Sequence, residues 1–389
     1  MNRSLAPLLA AVAVANAHPA AACPAKGTGT LDQIVTDWVN KNQPGVAFGL
    51  CAVALDSKGH EGFACSGKAA AGVGLTKDTL FQIGSLTKTI TATLLARRVV
   101  EGSYALGDKL ESHLLPPFRV GTTNDPITIL QLATHHSGLP RTPPSYLGEI
   151  GDFFQLDDLL ITGFLSSGYL YSNWAFQILG YTMALEDGKS WMDDIADDVL
   201  ADLDMSATAN YETWTGDIGN LIFFAQHAAS KHSSDGDDLG TGPASSCPTA
   251  DPSGCLYASS HDMRIWLQYA MGLVTPSGPL ADARHQLRRN FNDGDGPGIR
   301  QGLAWAFDQN DSDACDSLPQ PTSTQAHYTR VEKSGDVDGS HAWIAFLQDP
   351  SHPDAVAPLG IIVMANSDLA QGKKLGDLGQ DLLARLPLP

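Results

Sequence analysis

Phe81-Gln82-Ile83-Gly84-Ser85-Leu86-Thr87-Lys88 is the stretch on which the reading of this chain turns. It sets a hydroxyl and an amine three residues apart where a helix begins, and residues so spaced share a helix face. Over 89–102 the apolar residues Ile90, Leu94, Leu95, Val99 and Val100 recur and Gly102 closes the run, which predicts an amphipathic helix with a C-terminal stop. Ser85 is then expected in its first turn, where backbone N–H groups lack intrahelical acceptors and the positive end of the dipole points outward. A nucleophile there has its own amide as an oxyanion donor. Lys88 stands one turn on, within reach of the hydroxyl. An ammonium in a crowded, partly dry pocket gives up its proton more readily, so Lys88 could take or relay the serine proton. Against this stands the plain reading, in which Ser-x-x-Lys occurs by composition and the serine is only an N-cap.

Working outward, 389 residues with 43% hydrophobic content suffice for a sizeable core, in one large or two medium domains. A formal charge of -19 without any basic cluster argues against nucleic acid and anionic membrane surfaces as partners, since both would repel it. Residues 1–3, the apolar run 5–15 and Ala15-Asn16-Ala17 have the layout of a secretory signal peptide, with cleavage expected after Ala17 or near Ala22 and a leader of 1–22. The apolar run is too short to anchor, and no later stretch reaches the roughly 18 apolar residues of a membrane span, so a soluble exported chain is expected. A lipidated Cys23 is the weaker alternative.

Six cysteines in an exported chain read as disulfides. Cys51 and Cys65 lie symmetrically about a turn near Ser57-Lys58-Gly59, and Cys247 and Cys255 bracket a short loop, leaving Cys23 and Cys315. Connectivity stays open. No Cys-x-x-Cys is present to hold zinc.

Helices are expected over 31–42, 127–134, 156–165, 174–184, 193–205, 260–271 and 375–386, and strands over 46–55, 62–67, 325–334, 340–347 and 359–365. Two strands early and three late, with helices at both termini, predict an α+β fold. It would have a five-stranded antiparallel sheet (about 23–84 and 275–389) flanked by helices, and an inserted helical lobe (about 85–274). Ser85 falls where the two meet.

Two further motifs decide how Ser85 is read. Tyr171-Ser172-Asn173 precedes a helix and is the one Tyr-x-Asn of the chain; Lys333-Ser334-Gly335 ends a strand and is the one Lys-Ser/Thr-Gly. Alone, Tyr171 is a loop tyrosine, Asn173 a cap and Lys333 a solvated strand lysine. Together and in this order, with the single Ser-x-x-Lys, they resemble the serine β-lactamase and penicillin-binding protein superfamily, in the class C branch where the second motif is Tyr-x-Asn. The resemblance runs from about 31 to 384 and includes Ile129 to Pro140, the block from Tyr171 to Gly180 and Gly302-Leu303-Ala304-Trp305. Several blocks are similar to the AmpH type of low-molecular-weight penicillin-binding protein, periplasmic D-alanyl-D-alanine carboxypeptidases and endopeptidases.

The resemblance implies an acyl-enzyme on Ser85, with Lys88 and Tyr171 sharing the proton traffic. A phenol ordinarily titrates near pH 10 and can act at neutral pH only if nearby ammonium groups lower that value. It implies further that Asn173 binds the substrate amide, that Lys333 and Ser334 orient a substrate carboxylate, and that the amide of Asp336, after Gly335, is the second oxyanion donor. No metal or other cofactor is implied. Expected substrates are peptidoglycan peptides or β-lactams; oligomeric state is left open.

Two departures from the class C pattern stand out. Thr142 occupies the place of a glutamine, which argues against efficient β-lactam turnover, and the acidic Asp336 beside the oxyanion site is unusual. Rival readings are a class C β-lactamase, a related esterase, and a sensor that is acylated once and stays blocked. An α/β-hydrolase or a zinc peptidase is disfavoured because neither Gly-x-Ser-x-Gly nor His-Glu-x-x-His occurs, and His135 and His136 read as helix-end residues rather than a base.

Overall fold

Alternation along two central strands divides the interior into two cores. In Gly49–Asp56, Cys51, Val53 and Leu55 pack into one while Leu50, Ala52 and Ala54 pack into the other. In Leu359–Ala365, Ile362 and Met364 join the first, and Leu359, Ile361, Val363 and Ala365 the second. Successive side chains of a strand point to opposite faces, so strands apolar at every position must be covered on both. The computed structural model describes residues 27–43, 48–114, 127–143, 168–244, 252–291, 300–308, 328–369 and 374–388.

The main sheet runs Val73–Gly74, Glu61–Ala70, Gly49–Asp56, Leu359–Ala365, Ser340–Gln348, Thr329–Val337, Ala306–Asp308, Arg300–Gln301. Its ladders are antiparallel. The five long strands are those expected from the sequence; three short ones at the edges raise the expected five to eight. Two- and three-residue strands are too short to show alternation, and pairing with a formed edge is what defines them. Cys51 lies opposite Cys65 and the two are disulfide-bonded, as their symmetry about the turn suggested. Cys255 is also disulfide-bonded, while Cys23, Cys247 and Cys315 lie outside the described residues.

Leu31–Asn42 and Leu375–Arg385 cover one face, burying Val35, Trp38, Val39, Leu382 and Leu383. Burial of each such side chain favours folding by about 1.5–3 kcal/mol. Thr30 and Gln33 form a capping box at the start of the first helix, satisfying two otherwise orphaned amides. Ser260–Met271 and Thr87–Glu101 lie on the other face. The inserted lobe, expected to be all helical, also carries short strands: Thr208–Ala209 and Tyr257–Ser259, paired with Leu80–Gln82 in a second sheet, and Lys231–His232, paired with Asp238–Gly240. They are too short to show a pattern in the sequence.

Thr87–Glu101 corrects the expectation of an amphipathic helix, because its first ten residues are all buried. Its polar positions tolerate this by finding acceptors: Thr89 Oγ1 donates to Leu86 O (2.7 Å) and Thr93 Oγ1 to Thr89 O (2.8 Å) within the turn before each, and Thr91 Oγ1 reaches across to Pro252 O (2.7 Å). Gly102, at φ 81°, ends it as foreseen. The helix expected over 193–205 is broken into Trp191–Ile195, a π turn Ala196–Leu200 and a 3-10 turn Ala201–Leu203, alongside Arg98, which binds Asp194 and Asp198 at 2.7 Å each. The leader region and the expected helix 156–165 lie outside the described residues. Among the described residues no helix is long and apolar enough to cross a membrane.

Candidate active site

Ser85 sits not in the first turn of the helix but in a 3-10 turn, Gly84–Leu86, that leads into it. Two glycines dictate this. Gly84 has φ 52°, and a Cβ on it would lie 2.7 Å from the amide nitrogen of Asp336. A Cβ on Gly335 would come within 2.0 Å of Ile83 O. Only glycine permits this approach of turn and strand end. It puts the amide of Asp336 beside the Ser85 turn, where the second oxyanion donor was expected.

Lys88 is fully buried. Its Nζ lies 3.1 Å from Ser85 Oγ, 2.8 Å from Asn173 Oδ1 and in contact with the carbonyl of Ser253. A buried ammonium must be so surrounded by acceptors to remain charged. Ser253, in the Gly- and Pro-rich loop before Ser260–Met271, was not singled out from sequence, because a backbone carbonyl leaves no residue-type signal.

Tyr171 and Asn173 come from the chain entering the helix Asn173–Asp187. Ser172 Oγ accepts from Ala175 N (2.9 Å) and donates to Pro140 O (2.7 Å), and Asn173 N donates to Arg141 O (2.9 Å). The cap thereby ties the Tyr-x-Asn loop to the segment after the Gly-Leu-Pro block. Three cations surround the phenol: Lys88 Nζ, Lys333 Nζ and Arg141 Cζ lie 5.0, 5.1 and 5.1 Å from its ring centroid. Lys333 Nζ also stands 3.4 Å from Tyr171 Oη and 2.9 Å from Ser334 O. Burial pushes the phenol up, but Lys333, Lys88 and hydrogen bonds from Ser85 and Lys88 more than reverse it, bringing it down to about 7. Such a group can exchange a proton with a serine hydroxyl at neutral pH.

The structure thus gathers Ser85, Lys88, Tyr171, Asn173 and Lys333 in one place, with Ser334 exposed, Gly335 buried and Asp336 exposed along the strand beside them. The side chain of Asp336 bonds His341 Nδ1 (2.8 Å), whose Nε2 bonds Asp368 Oδ1 (2.9 Å). Burial opposes charge on His341, but the two carboxylates outweigh it and raise its pKa. Asp336 is held below the usual carboxylate range: partial enclosure of the carboxylate acts upward even though the side chain is 61% exposed, and His341 more than offsets it. Thr142 is exposed. His135, read from sequence as a helix-end residue, does follow Ile129–Ala133, but its ring also lies 4.2 Å from that of Tyr171. Among the described residues no group of His, Cys, Asp and Glu is placed to hold a metal ion.

Residues 31–385 match the family described as Beta-lactamase. The D-alanyl-D-alanine-carboxypeptidase/endopeptidase AmpH of Escherichia coli strain K12 is 29% identical over 201 residues, 49% of this chain and 49% of that protein. The chain therefore spans about half the length of this relative. A β-lactamase of Pseudomonas fluorescens is 24% identical over 322 residues, 77% of this chain and 83% of its own. Among solved structures, a class C β-lactamase superposes with a TM-score of 0.71 at 20% identity, covering 92% of this chain and 96% of its own. A β-lactamase/D-alanine carboxypeptidase from Pseudomonas syringae does so at 0.69 and 22%, covering 91% and 98%. The fold is shared with both, and with the family match spanning nearly all the described residues, the chain belongs to the β-lactamase family.

Proposed function

We propose that the protein is an exported serine hydrolase that forms an acyl-enzyme on Ser85, and that its substrates are D-alanyl-D-alanine peptides of peptidoglycan. The observation that carries this is the placement of Ser85 Oγ 3.1 Å from Lys88 Nζ, beside a phenol brought to about 7 between two ammonium groups. Ser85 Oγ attacks the carbonyl carbon of the penultimate D-alanine as its proton passes to the phenolate of Tyr171, with Lys88 as relay. The amides of Ser85 and Asp336 receive the negative oxygen. Collapse breaks the C–N bond, the proton on Tyr171 goes to the departing amine, and D-alanine leaves. Water then enters and its oxygen bonds the acyl carbon as a proton passes to Tyr171; the bond between that carbon and Ser85 Oγ breaks, Tyr171 returns the proton to Ser85 Oγ, and the shortened peptide leaves. Lys333 and Ser334 orient the terminal carboxylate, and Asn173 the acyl amide.

The leader read at 1–22 supports export, as does the disulfide between Cys51 and Cys65, which persists in oxidising compartments. AmpH among the relatives supports peptidase over lactamase activity, as does Thr142, whose hydroxyl cannot make the paired hydrogen bonds of an amide. A β-lactamase is the second reading, favoured by the relative from Pseudomonas fluorescens, which aligns over more of the chain. Incubation with a muropeptide pentapeptide and, separately, a chromogenic cephalosporin tests the choice. Release of D-alanine with slow cephalosporin turnover is expected; cephalosporin hydrolysis at tens per second without D-alanine release would make the second reading right.

A further inference from the structure

His135 is one of three non-glycine residues with positive φ among the described residues, at 62°. A side chain in that conformation persists only where its surroundings dictate it, and such strain gathers at functional sites. The residue is buried, and it bonds the chain on either side of Tyr171. Its carbonyl accepts Leu170 N–H (2.8 Å) and its Nδ1 accepts Ser172 N–H (3.1 Å), while its ring lies 4.2 Å from that of Tyr171, tilted by 35°. We propose that His135 is the positioning residue of Tyr171: its left-handed backbone turns a carbonyl and a ring nitrogen onto 170–172, and so fixes where the phenol stands relative to Ser85, Lys88 and Lys333. This rests on the reading of Tyr171 as proton carrier.

The ring can do this in one state only. A backbone N–H donates to Nδ1, so the ring proton is on Nε2, which has no hydrogen-bond partner among the described residues. Burial first, then Lys88, Lys333 and His136, keep the imidazole well below its usual pKa and hence neutral. Around it stand Lys88, Lys333, His136, the phenols of Tyr169 and Tyr171, the ring of Phe176 and the amide of Ser172. An imidazolium would lose the acceptor and add a cation beside the phenol.

Two substitutions in the full chain separate the clamp from mere packing. Asparagine tolerates positive φ and offers Oδ1 to Ser172; glycine suits the backbone but offers nothing. Amide hydrogen exchange at Ser172 and the rate and pH profile of Ser85 acylation by a fluorescent penicillin are measured together. For His135→Gly, exchange at Ser172 is expected about tenfold or more faster, as for an amide that loses its acceptor. Acylation should be about tenfold or more slower at saturation, with a displaced acid limb and little change in half-saturation. His135→Asn should restore the protection and most of the rate. Wild-type protection and rate in the glycine variant, or an asparagine variant as impaired as the glycine one, overturns the proposal. If the glycine variant does not fold, loss of Ser172 protection in His135→Asn overturns it and retention supports it. A wild-type protein that no probe acylates, with the exchange pattern as expected, leaves the clamp standing and overturns the catalytic reading instead.

Discussion

Lys333 Nζ stands 3.4 Å from Tyr171 Oη, 162 residues later in the chain and in the middle of the strand Thr329–Val337, which runs on past Gly335, where it was expected to end. Two ammonium groups around one buried phenol make it acidic, and the acidity sets a pH dependence. With Tyr171 at about 7, the phenol is ionised above that value and protonated below it. A protonated phenol cannot accept the Ser85 proton, so acylation should fall about tenfold per pH unit on the acid side. Lys333→Ala removes the larger of the two favourable charges and should move that limb upward. A stopped-flow profile with a neutral ester checks it; a limb that stays in place would mean another group titrates.

The same substitution should discriminate between substrates. A contact to a charged group is worth about 1.5–3 kcal/mol, or roughly ten- to a hundredfold. Lys333→Ala is expected to cost that factor in kcat/KM on carboxylate-bearing peptides beyond its cost on neutral esters at a pH well above both limbs. Equal losses would assign Lys333 to proton transfer alone.

Gly335→Ala places a methyl group 2.0 Å from Ile83 O, so either the strand end or the Ser85 turn must move. The amide of Asp336 moves with it. Loss of one oxyanion donor costs about 10²–10³ in kcat, and that is the expected fall in acylation, with KM changed much less. Near wild-type kcat in a folded variant would remove the Asp336 amide from the account.

Asp336, His341 and Asp368 form a chain of charges whose contribution to stability has a defined pH window. His341 has a raised pKa, so its share is complete below the unfolded value of about 6.5 and disappears as pH rises through the folded value. Asp336 has a lowered pKa, so its share is complete above about 4 and disappears as pH falls through the folded value. The Asp336 side chain is 61% exposed, and screening holds the contribution to about 1 kcal/mol. His341→Gln should lower Tm by about 2 °C between pH 5 and 6 and by less at pH 9. A difference independent of pH would deny the imidazolium.

The fold was legible wherever side chains alternate or recur. The helices over 31–42 and 260–271 stand where their patterns placed them, because burial on a fixed face writes a recurrence, and the strand over 359–365 stands where an unbroken apolar run marks a strand covered on both faces. The turn of Ser85 was not, since Gly84 takes its conformation from contact with Gly335, which lies far along the chain. The burial of Thr87–Glu101 was hidden for a related reason: threonines that bond back to their own helix read as polar surface. At the site, Ser85, Lys88, Tyr171, Asn173 and Lys333 came from three short motifs, whereas His135, Arg141 and Ser253 act through a ring nitrogen and backbone carbonyls that no spacing records.

The most direct test of the account is the site of covalent attachment. The protein is treated with fluorescent penicillin, digested with trypsin and the labelled peptide sequenced by mass spectrometry, with Ser85→Ala in parallel. The account predicts one adduct, on Ser85, absent from the variant. An adduct on another serine, or equal labelling of Ser85→Ala, would contradict it.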